Sequence, residues 1–211
     1  MFELFVSAFV TLFVVIDPPG CAPIYAGLTA DASAAQRRAM AVKATVIATV
    51  ILLIFALFGE DLLGALHIEL DSFRIAGGIM LFAIAIDMVF EKRTERRQDR
   101  ADKVLAHREA EHEVEDVSVF PMAMPMLAGP GAIASVMLLM ARADGLDETF
   151  AILGALVVVM ALSLVALVAA APLMRLFGKE FESVVTRLLG VILAALAAQF
   201  VIDGLRGSFD F

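Results

Sequence analysis

Asp17 is the one carboxylate set deep inside an apolar stretch of this sequence, in the run Asp17-Pro18-Pro19-Gly20-Cys21-Ala22-Pro23. An ionisable residue at membrane depth is costly and is a functional candidate by default. Asp followed by proline at the first helical position is equally a standard helix N-cap, and the two readings are compatible. Proline removes a backbone donor and clashes with the carbonyl four residues back, so carbonyls near Phe13 to Val15 are expected to lose their partners. A second interruption, Pro121 to Ile133, centres on Gly129-Pro130-Gly131. Because a half-helix starts after each break, two positive helix N-termini are expected to converge from opposite directions, at Gly20 and Cys21 on one side and at Gly129, Gly131 and Ala132 on the other. That arrangement suits an anionic group, and the carbonyls that end the preceding half-helices suit an ammonium or a cation. The chemistry is binding of a small amphoteric solute. Bond-making chemistry lacks its parts: His67, His107 and His112 fall in loops, and there is no H-E-x-x-H and no pair of membrane aspartates. No enzymatic activity, cofactor or metal site is expected, and the single cysteine, Cys21, excludes an intramolecular disulfide.

The elements that must position these residues follow from composition. The 211 residues are 61% hydrophobic and 19% charged, with a mean hydropathy of +0.91, too apolar for an ordinary soluble domain. The apolar residues fall into blocks long enough to cross a ~30 Å hydrocarbon core. Six spans are predicted, at about 2–28, 39–58, 73–90, 119–140, 150–171 and 184–205. Both breaks lie near the middle of their spans, hence near the bilayer midplane. Irregular backbone at that depth is tolerated only where it packs on protein or lines a wet cavity.

Net charge is −8, but in a membrane protein its distribution carries more information. With the N-terminus outside, 13 of the 16 Lys and Arg residues fall on the cytoplasmic side and only Arg74, Arg142 and Arg206 outside. That bias predicts a multi-pass protein of the bacterial inner membrane with both termini extracytoplasmic. No Lys or Arg precedes the first apolar run, so the pattern of a cleaved signal peptide is not met. The bilayer and a small solute are the expected partners, with a proton or sodium ion as possible coupling ion; nucleic acid is not expected.

Three spans per half reverse the direction of the second half, the topology of an inverted repeat. Pro19-Gly20 and Pro130-Gly131 are 111 residues apart, and Arg74-Ile75-Ala76-Gly77 and Arg187-Leu188-Leu189-Gly190 are 113 apart. The expected fold is therefore an all-α membrane protein of six transmembrane helices, arranged as two inverted three-helix repeats (1–90 and 118–211) with broken first helices. Between them, 91–117 is a charged cytosolic linker; Glu91 to Asp116 alone carries seven basic and nine acidic residues. A solvated connector and a docking surface are both open for it. Asp87, toward the cytoplasmic end of its helix, belongs either to a proton or cation path or to a snorkelling side chain.

Three motifs together resemble the MarC family of bacterial and archaeal membrane proteins, itself similar to the lysine exporter superfamily. They are Asp17-Pro18-Pro19-Gly20 with Pro23, Phe73 through Ile79, and Pro121 through Ala132. The family pattern often has Asn after the first Gly, where this chain has Cys21. The resemblance implies transport of small neutral amino acids for some members. The expected function is thus a secondary transporter working by alternating access, with substrate contacts at Asp17, Gly20, Cys21, Gly129, Gly131 and Ala132 and an ion path through Asp17 and Asp87. A non-transporting scaffold or assembly factor is the alternative.

Overall fold

The computed structural model describes residues 2–90, 98 and 116–209, so most of the charged linker assigned to 91–117 lies outside the described residues. The described chain is helical: α1 (Phe2–Ile16), α2 (Pro18–Leu28), α3 (Ala34–Ala65), α4 (Leu70–Val89), α5 (Ser118–Leu127), α6 (Pro130–Met140), α7 (Leu146–Val168) and α8 (Ala170–Phe209). Five helices, counting Phe2–Leu28 as one, are long and apolar enough to cross a membrane; α5 with α6, bent by 51°, is long and apolar enough only as a pair, which brings the number to six where the pair counts as one span. Each predicted span coincides with one of these helices or with the bent pair, with different ends. α3 starts at Ala34, ahead of the expected 39, because Ser33 and Gln36 form a capping box: Gln36 N–H donates to Ser33 Oγ at 3.3 Å and Ser33 N–H to Gln36 Oε1 at 2.9 Å. α8 likewise begins at Ala170, ahead of the expected 184, and contains Ser183–Phe209, long and apolar enough to cross a membrane.

The second broken span departs further from expectation. α5 is no regular helix: Phe120 (φ −124°, ψ 129°) and Met124 (φ −132°, ψ 123°) are extended, as residues before Pro121 and Pro125 prefer to be. Its surviving bonds span five residues, from Met122 N–H to Val117 O at 3.2 Å and from Ala128 N–H to Ala123 O at 2.9 Å. The single break expected at Gly129 is the last of three.

The two halves interlock. α1 and α2 pack on α7 and α8, while α5 packs on α3, and α6 on α3 and α4. The most extensive interface joins α4 to α8, antiparallel, through small residues. A Cβ on Gly78 would sit 2.7 Å from Val201 Cγ2 and 2.8 Å from Ala197 O; one on Gly190 would sit 2.8 Å from Met88 Cβ and 3.1 Å from Ala85 O. Such close approach substitutes packing for the hydrophobic drive that hydrocarbon cannot supply. Outward faces stay apolar, with Val46, Val50, Ile54 and Phe58 of α3 and Ile79, Phe82 and Ile86 of α4 exposed.

Charged contacts gather at the two ends. At one, Lys43 pairs with Asp116 at 2.5 Å, and Asp116 accepts from Ser118 N–H at 2.9 Å. At the other, Arg74 pairs with Asp71 at 2.6 Å and reaches Ala141 O at 3.4 Å. There Arg142 pairs with Asp203, lying 4.4 Å above the Phe200 ring, and Gln199 Nε2 donates to Asp203 at 2.7 Å. Arg74 and Arg142 therefore share an end that excludes Lys43, as the distribution of basic residues requires.

Candidate functional site

The first break is one residue wide. Asp17 takes the left-handed conformation (φ 57°, ψ 63°), which costs most residues ~1–2 kcal/mol but which Asp tolerates by local hydrogen bonding. Its Oδ1 accepts from Gly20 N–H at 3.1 Å, its N–H donates to Phe13 O at 2.9 Å and its C=O accepts from Cys21 N–H at 3.1 Å. Phe13 thus keeps a partner that the prolines were expected to remove. Gly20 is required by the cap, since a Cβ there would fall 2.2 Å from Asp17 Oδ2. With Gly20 N–H diverted to the carboxylate, the buried Cys21 thiol donates to Ile16 O at 3.6 Å.

This local bonding changes the expected cradle. Of the first four N–H positions of α2, Pro18 and Pro19 have none, Gly20 donates to Asp17 Oδ1 and Cys21 to Asp17 O. The α2 N-terminus has no donor left for a ligand. Asp17 is a cap in this structure, and the two converging helix ends reduce to one.

That one is α6. Gly129 is its N-cap and offers no side chain, Pro130 stands at its start, and the first in-helix bond runs from Ile133 N–H to Gly129 O at 3.0 Å. The N–H groups of Gly131 and Ala132 therefore lie ahead of that bond, uncapped by any side chain and buried. Gly129 has a structural reason of its own, because a Cβ there would lie 2.4 Å from Pro125 O. One turn beyond Gly131, Ser135 is fully buried and its Oγ has no hydrogen-bond partner. Helical side chains lean toward the N-terminus, so that hydroxyl lies over the turn that carries Gly131 and Ala132.

The two breaks touch. A Cβ on Gly131 would meet Ile84 Cδ1 at 2.6 Å, Val15 Cγ1 at 3.3 Å and Leu81 Cδ2 at 3.6 Å, so the start of α6 lies against the end of α1 and the middle of α4. Asp17, Gly20, Cys21, Gly131 and Ala132 are all buried, and Gly129 is half-buried. Asp87, also half-buried, is three residues beyond Ile84 on α4, one turn from the contact with Gly131. Sequence reasoning missed Ser135: a single hydroxyl in an apolar helix usually bonds its own backbone, as Ser163 does to Val159 O at 2.8 Å, and only the packed structure shows that Ser135 does not.

The sequence of the whole chain agrees with known proteins. The model of the MarC family, described as integral membrane proteins, matches residues 2–209. Similar proteins include the UPF0056 membrane protein MJ1677 of Methanocaldococcus jannaschii, 35% identical over 206 residues and 98% of each chain. The UPF0056 membrane protein YvbG of Bacillus subtilis is 36% identical over 99% of this chain and 97% of its own. For YhcE of Escherichia coli, another UPF0056 membrane protein, identity is 33% over 99% and 94%. No solved structure matches. With a family model covering nearly the full length and relatives aligned end to end, the chain belongs to the MarC family of integral membrane proteins.

Proposed function

We propose that this protein is a secondary transporter of a small zwitterionic solute, of the class of small neutral amino acids, working by alternating access between two inverted halves. The observation that carries the reading is the N-terminus of α6: the N–H groups of Gly131 and Ala132 are buried and uncapped, and one turn later comes the unpartnered hydroxyl of Ser135. A buried donor without a partner costs about 1–3 kcal/mol, and a helix end that exposes such donors is a ready anion site. A solute carboxylate fits the N–H groups of Gly131 and Ala132, the Ser135 hydroxyl one turn deeper is open to a further polar atom, and the last turn of α5 offers carbonyls to an ammonium group. Asp17 and Asp87 are the carboxylates near enough to this level to couple transport to a proton or sodium ion.

The inverted arrangement draws support from motif spacing, 111 residues between Pro19-Gly20 and Pro130-Gly131 and 113 between the two Arg-x-x-Gly runs, while α4 and α8 pack antiparallel through small residues. Gly78 on α4 meets Ala197 and Val201 on α8, and Gly190 on α8 meets Ala85, Met88 and Val89 on α4. The basic-residue bias orients the protein with both termini outside and 91–116 inside the inner membrane.

Binding is testable without knowing the transport direction. Purified protein screened by thermal unfolding against glycine, alanine, serine and threonine should be stabilised saturably, by about 2.7 kcal/mol at 100 times the dissociation constant. Alkylamines that lack the carboxylate should give no shift. If the amines stabilise as well as the amino acids, the carboxylate reading of α6 fails.

A further inference from the structure

A second feature lies at the Lys43 end of the bundle, away from the breaks. A cavity of about 250 Å³ opens between the end of α2, the first turn of α3 and the junction of α7 with α8, lined among others by Tyr25, Thr29, Arg37, Arg38, Leu167 and Val168. Its polar wall is built rigidly. Tyr25, 1% exposed, donates its hydroxyl to Arg37 O, and Thr29 donates to Tyr25 O at 2.7 Å, which ties α2 to the first turns of α3. Neither guanidinium forms an ion pair among the described residues. Two adjacent cations near the positive end of a helix oppose both each other and the helix dipole, an arrangement that an anion offsets. The opposite wall is apolar and runs outward to Val168, 48% exposed on the outer surface of α7.

We propose that this cavity binds a phosphate group, held by the guanidinium groups of Arg37 and Arg38. Arginine matches phosphate through its planar fork of N–H donors, and basic pockets between membrane helices on one face are a recognised setting for lipid headgroups. The shared chemistry is a phosphate oxygen against two guanidiniums; an anionic phospholipid and free phosphate are its two sources. The inference is independent of whether the protein transports a solute.

The test uses the full-length purified protein. Retention of phosphatidylglycerol and phosphatidylcholine is compared by native mass spectrometry, and inorganic phosphate is titrated in thermal unfolding, for wild type, Arg37→Gln/Arg38→Gln and the control Arg93→Gln/Arg97→Gln, which loses the same charge from the linker. Two cations together predict a loss of about 30-fold in the double variant and none in the control. Loss confined to phosphatidylglycerol identifies a lipid headgroup; loss of the stabilisation by inorganic phosphate identifies a free phosphate group. Should the double variant unfold, Arg38→Gln alone, at an exposed position, serves with a loss of about fivefold. Equal binding by wild type and variant, or an equal loss in the linker control, overturns the proposal.

Discussion

Replacing Asp17 by alanine removes the acceptor of the 3.1 Å bond from Gly20 N–H and leaves a Cβ residue at φ 57°, ψ 63° without its local hydrogen bond. The stranded N–H is buried, and a buried unsatisfied donor costs about 1–3 kcal/mol. The left-handed conformation adds roughly 1 kcal/mol for a side chain that cannot bond locally. Asp17→Ala should therefore destabilise by about 3 kcal/mol, a fall in Tm of roughly 6–12 °C for a chain of this size. Asp17→Gly loses the acceptor but relaxes the backbone, so about 2 kcal/mol is expected. Asp17→Asn keeps both the acceptor and the tolerance of positive φ and should cost under about 0.5 kcal/mol. Unfolding of the three variants in detergent gives the order. If asparagine is as damaging as alanine, or glycine is worse than alanine, Asp17 does not act as the cap described. Flux measured on the same proteins separates the other role, since Asp17→Asn with normal stability and lost transport assigns a function to the charge.

Four further outcomes follow from the packing and the charges. Gly78→Val should destabilise by about 2–3 kcal/mol, because the new Cβ would meet the Ala197 carbonyl at 2.8 Å and the Val201 nitrogen at 3.0 Å; Gly27→Ala, with nothing within 4 Å, should stabilise by about 0.5–1 kcal/mol, and unfolding curves check both. The Lys43 ammonium holds the Asp116 carboxyl down at about 2, from an ordinary 3.8, so its contribution is present above pH 3.8 and is lost as pH falls toward 2; both partners are about half exposed, which keeps the contribution under about 1 kcal/mol, and the stability difference between wild type and Asp116→Asn should close over that window. For orientation, Ser208→Cys but not Gln98→Cys, each in a Cys21→Ser background, should react with a membrane-impermeant thiol reagent in intact cells.

Much of the fold was legible because the bilayer imposes it. Blocks of apolar residues located the five long helices and the bent pair α5 with α6, and the run Asp17 to Pro23 located the first break, which is narrower than expected because α2 already starts at Pro18. Span ends were less legible, since helices continue past the hydrocarbon: α3 takes in Gln36, Arg37 and Arg38 through its Ser33 cap, and α8 takes in the charged residues after Ala170. In α5 the signal was present in Pro121 and Pro125, each of which forces its predecessor extended, but reading Pro121 to Ile133 as one interruption hid it. At the candidate site, proline and glycine marked the chain breaks at Asp17 and Gly129, and Gly131 meets Val15. What the sequence could not give was how the donors are spent. Asp17 consumes the α2 N-terminus, α6 has no such residue, and Ser135 stands without a partner; each depends on side-chain geometry in the packed state.

In the proposed function, the uncapped start of α6 and Ser135 bind a solute that the protein carries across the membrane. Uptake of small neutral amino acids into proteoliposomes tests it most directly, with wild type and Ser135→Ala compared at equal reconstitution. Removing an unpartnered buried hydroxyl should leave stability unchanged or raise it by up to about 1 kcal/mol, so a loss of flux cannot be attributed to misfolding. The predicted result is saturable uptake by wild type and a clear fall in Ser135→Ala at undiminished stability. Wild-type flux no greater than that of empty vesicles across the whole set, or equal flux in the two proteins, contradicts the account.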